Sequence, residues 1–197
     1  MFYDAFINSG ALDEILTLAI QMADFDPSGQ NTQQERISAL SFLGDVWEVK
    51  PDRIEENQEI AQAILTVMKR GCRDRMRLLR TTSFEIMFKL LHNFSVNRNQ
   101  FAPIIYKSLT FLLIEFHPHV EIREQLMREF LSLFQQVQTI PVAILCEPLL
   151  KQIAISGGTA DFNIFDFEFF GIVANHKRAT VSIGLQIVDT MVQQATS

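Results

Sequence analysis

Apolar positions along this chain return in the same register three times. Arg36, Arg80 and Arg123 lie 44 and 43 residues apart, and each opens a segment with apolar residues at matching offsets. Four positions after each Arg stand Leu40, Phe84 and Met127, and seven after stand Leu43, Met87 and Phe130. Ten after stand Val46, Leu90 and Leu133, and eleven after stand Trp47, Leu91 and Phe134. Offsets of 4, 7 and 11 share one face of a helix with 3.6 residues per turn, and 10 lies beside them. A helical pattern returning every ~40–47 residues predicts an α-solenoid of stacked helix pairs. The three arginines fall within the stripe, about 40° from the residue four later. Their aliphatic stems can cover core surface while the guanidinium reaches a carboxylate or carbonyl of the next repeat, so a structural role is expected for them.

Breaks between the apolar segments set the remaining elements. A first amphipathic helix is predicted over 10–24, ended by the turn-rich DPSGQN. The first register copy fills 32–49, and Pro51 suits the first turn of a helix over 52–70 that Gly71 closes. The second copy fills 74–93, an apolar helix follows at 100–116, and the third copy fills 120–138. Further helices are expected over 141–155, 162–174 and 177–194. The fold class is therefore all-α, about eight long helices with no convincing strand. One domain over 1–197 is expected, with repeats at 10–49, 52–93, 100–138 and 141–194. The last repeat is divergent, because Ser182 stands where a large apolar residue belongs after Arg178.

ERISALSFLGDVW (35–47) and HVEIREQLMREFLSLF (119–134) resemble the second helix of HEAT repeats, in the armadillo-like superfamily. That helix often begins with a branched residue, then Arg, then the apolar ladder. HEAT repeats also tend to carry an Asp six residues before the Arg. Asp74 matches before Arg80, whereas Gln30 and His117 hold the other two places. The resemblance covers about residues 30–155 and implies a right-handed superhelix of stacked antiparallel helix pairs. Another armadillo-like kind, such as those of vesicle-trafficking or translation-scaffold domains, fits the same pattern.

Composition is that of a globular chain: 48% apolar, 20% charged, with 8 Gly and 6 Pro in 197 residues. Phe is used 17 times against 2 Tyr and 1 Trp, which suits an extended interior with few polar tips to satisfy. Cys72 and Cys146 lack metal-like spacing and suggest reduced thiols and an intracellular, cytoplasmic setting, with cytoskeletal or membrane association left open. Asp4 sits where a secretory signal would carry positive charge, so no leader is expected. The run from Ile104 to Phe116 holds Lys107 and Glu115 and falls short of a membrane span, so a buried helix and no transmembrane segment are expected.

The most unusual charge feature is KRGCRDRMRLLR. Lys69, Arg70, Arg73, Arg75, Arg77 and Arg80 surround one Asp74, giving +5 within a chain of net −6. Lys69 and Arg70 close one helix, where the backbone dipole favours cations; Arg73, Arg75 and Arg77 open the next, where it disfavours them. One reading is a solvated turn paired with acidic neighbours. The other is a partner site for an acidic or phosphorylated segment, or for anionic lipid. Aromatics do not alternate with these basic residues, so nucleic acid is the least favoured anion.

Two apolar features also suggest contacts. Phe162, Phe165, Phe169 and Ile172 follow one helical face, leaving Phe167 and Phe170 off it as possible contact residues. In the final helix Ile183 and Ile187 belong to a second stripe, separate from Val181, Leu185, Val188 and Val192. A terminal repeat should turn a polar face outward, so further repeats, another subunit or a long covering loop is expected there. HPH at 117–119 and SGGT at 156–159 lack the surroundings of metal and phosphate sites. No catalytic residue, cofactor or metal is expected. The chain is read as a non-enzymatic protein–protein interaction module within a larger scaffold or adaptor. Asp45, Lys89 and Ser132 would project along the partner surface. An anionic-lipid-binding helical domain using residues 69–80 is the alternative.

Overall fold

The computed structural model describes residues 11–24, 31–96, 99–116, 119–136, 189 and 192. Among the described residues up to 136, seven helices follow one another: α1 (Leu12–Ala23), α2 (Gln33–Val49), α3 (Pro51–Glu55), α4 (Gln58–Gly71), α5 (Arg77–Val96), α6 (Ala102–Glu115) and α7 (Val120–Gln136). No strand occurs among the described residues, so the all-α class holds for them. The expected helices over 141–155 and 162–174 lie outside the described residues, as do Phe167, Phe170, Ile183 and Ile187. Of the final helix, Asp189 and Val192 are described, both helical and exposed.

Local chemistry explains where the helices begin and end. Thr32 caps α2 in a reciprocal box: the Glu35 N–H donates to Thr32 Oγ1 at 3.2 Å, and the Thr32 N–H donates to Glu35 Oε2 at 2.6 Å. Those bonds hold the Glu35 carboxyl below its ordinary value, the Thr32 backbone contributing most. Pro51 sits in the first turn of α3, and Lys50 before it leaves helical geometry at φ −135° and ψ 63°.

The single helix expected over 52–70 is in fact two. Asn57, at φ −109° and ψ 88°, stops α3, and its side-chain oxygen accepts from the Ile60 N–H at 3.3 Å to cap α4. The helix expected from 74 starts at Arg77 instead. Asp74 Oδ1 accepts from the Met76 N–H at 2.9 Å, which keeps the intervening residues in a turn. Arg73 and Arg75, expected in a helical first turn, therefore lie before it. The helix expected over 100–116 is not buried all round, because Ile104 and Phe111 are exposed on α6.

The chain divides into two compact units, Met1–Asn93 and Phe94–Ser197, with α5 running through the division. In the first, α1 packs on α2 and α4, and α2 packs on α3 and α4. Helix α5 meets α2 through Ile86 beside Gly44, where an added Cβ would fall 2.6 Å from Ile86 Cγ2. It meets α4 where Gly71 faces Ser83. Further along, Lys89 pairs with Asp45 and Glu48, and Asn93 Nδ2 donates to Glu48 Oε1 at 3.0 Å. These partners are separated by close to the 44-residue interval of the register. The first two register copies thus lie side by side, running in the same direction, with corresponding positions adjacent.

The apolar ladder lies on the inner face of these helices. Leu40, Leu43, Val46 and Trp47 of α2 are buried, as are Phe84, Met87, Leu90 and Leu91 of α5. Burying each such side chain contributes about 1.5–3 kcal/mol. The Cys72 side chain is buried there too, its Sγ 3.5 Å from Met87 Sδ. In the second unit α6 packs on α7, burying Met127, Phe130 and Leu133. The Tyr106 and Phe130 rings meet edge to face, centroids 5.8 Å apart. The side chain of Phe134 lies outside what is described.

Candidate functional site

Four helix ends gather at one edge of the first unit. α1 and α4 finish there, and α2 and α5 begin there, because the charged residues at those ends bond to one another. Arg36 Nη2 donates to Asp74 Oδ2 at 2.9 Å, and its Nε donates to the Asp24 carbonyl at 3.2 Å. Arg80 Nη1 donates to the Asp74 carbonyl at 3.0 Å. Arg70 Nη1 donates to Asp24 Oδ2 at 2.5 Å. The first two register arginines therefore tie α1, α2, the 72–76 turn and α5 together. Arg36 is buried and Arg80 half-buried; Arg123, in the second unit, is fully buried.

This network sorts the basic cluster into two groups. Arg70 and Arg80 are engaged as just described. Lys69 is half-buried, and burial first, then the neighbouring Arg73 charge, push its ammonium below the ordinary lysine value. Arg73 is exposed, with Nη1 donating to the Lys69 carbonyl at 3.2 Å. Arg75 and Arg77 are exposed and have no ion-pair partner among the described residues. Beside them Leu78 leaves 55% of its surface in water. No acidic residue lies in the first turn of α5 to offset them. Arg75, Arg77 and Leu78 are thus exposed within four consecutive positions, at the end of a turn anchored by Arg36, Asp74 and Arg80.

Sequence reasoning identified the cluster but missed Leu78 and Asp24. Leu78 lies two residues before Arg80, off the register stripe, which is the signal that marks it as outward-facing. Nothing local marks Asp24, whose partner Arg70 is 46 residues away. Of the proposed surface positions, Asp45 and Lys89 are exposed and face each other across α2 and α5, and Ser132 is exposed on α7. Ser132 Oγ accepts from Gln136 Nε2 at 3.1 Å. A separate apolar stretch on α6 exposes Ile104 and Phe111, with Lys107 Nζ 5.9 Å from the Phe111 ring centre. Among the described residues no helix is long and apolar enough to cross a membrane. No group of three or more His, Cys, Asp or Glu among them could hold a metal ion. No family model, curated protein or solved structure matches the chain.

Proposed function

We propose that this chain is a non-catalytic protein-interaction module of HEAT/armadillo-like superhelical type, working within a larger intracellular scaffold or adaptor. It binds an acidic segment of a partner at the turn Arg73–Leu78. The observation that carries this reading is the division of the basic cluster. Arg36, Arg70 and Arg80 are held in bonds within the chain, while Arg75 in the turn and Arg77 and Leu78 at the start of α5 are exposed and unpaired among the described residues. Guanidiniums offer planar paired donors to carboxylate or phosphate, and the acidic remainder of the chain repels an anionic partner from other approaches. Affinity then comes from a few contacts: charge steers the encounter, and an apolar partner residue against Leu78 anchors it. The side-by-side placement of the first two register copies supports the repeat architecture.

The test uses a short, fluorescent Asp/Glu-rich peptide with one central Leu, titrated against the full chain by anisotropy. Arg75→Glu with Arg77→Glu should weaken binding by tenfold or more, about 1.4 kcal/mol or more, and increasingly so at low salt. An unchanged affinity removes the turn from the binding surface. Flotation with phosphatidylserine vesicles separates the lipid reading: strong flotation lost in the double variant, with no peptide binding, replaces the peptide by a membrane surface.

A further inference from the structure

We propose that Asp74 is the positioning residue of this binding turn, an inference that rests on reading Arg73–Leu78 as the binding surface. By charge alone Asp74 opposes that role, being the one acidic residue in a basic cluster that attracts anions. Its contacts give it a different part. One carboxylate oxygen takes the guanidinium of Arg36 from beneath, and both side chains are nearly buried, 10% and 12% exposed. The other oxygen takes the Met76 N–H, and the Asp74 carbonyl takes Arg80. Three of its acceptor atoms thus fix the backbone on either side of Arg75, in the turn between α4 and α5. A flexible turn bearing three arginines would have to order itself on each binding event, at a cost in side-chain and backbone freedom. Asp74 removes that cost in advance by tying the turn to the first two register arginines, Arg36 and Arg80. The acidic side chain thereby strengthens anion binding despite its sign.

Simple electrostatics and this proposal predict opposite signs for one substitution. Asp74→Ala adds a net positive charge beside Arg75 and Arg77, so charge alone predicts tighter binding of the Asp/Glu-rich peptide. Positioning predicts weaker binding, by about threefold or more, with Asp74→Asn between because it keeps an acceptor for Met76. Asp24→Asn is the comparator: it makes the same charge change at the same edge from the end of α1, outside residues 72–76, keeps the carbonyl that takes Arg36, and should leave affinity equal or higher. The second readout needs no ligand. Trypsin cleavage after Arg73, Arg75 and Arg77, below the thermal midpoint, should accelerate in Asp74→Ala and not in Asp24→Asn. Tighter peptide binding by Asp74→Ala, or unchanged cleavage, overturns the proposal. If Asp74→Ala does not fold, Asp74→Asn decides by the same two measurements. A wild-type chain that ignores the peptide fells the binding reading and this proposal together. Wild-type binding with unchanged cleavage fells only the role of Asp74.

Discussion

Ion pairs flank the contact of α2 with α5 at both ends, one made by the turn that leads into α5 and one by α5 itself, and the two ends are built differently. At the beginning, Arg36 and Asp74 meet with little of either side chain in water. Further along, Lys89 reaches Asp45 and Glu48 with 54% of its own side chain exposed. The chemistry is the same and the energetic consequence is not. A nearly buried pair has left water, so each charge depends on its partner, whereas an exposed pair can exchange its partner for solvent. The buried end fixes geometry and therefore carries the turn proposed to bind. The exposed end adds little rigidity and leaves its charges available along the surface.

The largest expected effect is at the buried end. Arg36→Met keeps much of the stem but strands the Asp74 carboxylate, and should lower stability by about 3–5 kcal/mol in urea unfolding. A loss below about 1 kcal/mol would make that end no different from an exposed pair. Midway along the contact, Gly44→Ala places a methyl 2.6 Å from Ile86 Cγ2, so Ile86 must change rotamer or the helices must part. Overpacking costs of about 1–3 kcal/mol, offset by roughly 1 kcal/mol of helix propensity, leave a net loss near 1 kcal/mol. At the exposed end, Lys89→Met should cost about 0.5 kcal/mol, diminishing in high salt. Equal losses for Lys89→Met and Arg36→Met would abolish the contrast.

The smallest effects lie at alkaline pH and have opposite signs. Hydrogen bonding to Glu48, chiefly, raises the Lys89 value above 10.5, so its contribution is present below 10.5 and is lost as pH climbs through the folded value. Burial, chiefly, lowers the Lys69 value below 10.5, so its charged form opposes folding below the folded value. That opposition fades as pH rises from the folded value toward 10.5. Comparing urea midpoints of Lys69→Met and wild type across this window should show the wild-type deficit shrinking with pH. A deficit that grows instead would place Lys69 among the favourably paired groups.

Much of the fold was legible before any coordinates. The register positions from Leu40 to Leu91 mark buried faces because a helix repeats every 3.6 residues and the sequence carries that period openly. Pro51 and Gly71 mark helix ends through geometry confined to one turn, and the Thr32–Glu35 box, equally local, was an unread signal of the same kind. The break at Asn57 was legible in principle, since Asn is a strong cap, but the apolar period continues across it and masked the stop. The candidate site was legible only as a cluster. Which of its charges are paired within the chain depends on Asp24 and on Arg36, 46 residues from Arg70 and 38 from Asp74.

The amino-acid sequence alone determined the all-α class of the described residues, the inward faces of the register helices and the concentration of positive charge at 69–80, because each follows from neighbours within a few residues. Only the tertiary structure decided that α2 and α5 lie side by side with corresponding positions adjacent, that Arg36 is buried against Asp74 while Arg70 pairs with Asp24 at the surface, and that Arg75, Arg77 and Leu78 are exposed. The physical reason is range. Helical periodicity and capping act within one or two turns, whereas an ion pair forms between whichever helix ends packing brings within a few ångströms, and no local pattern encodes that meeting.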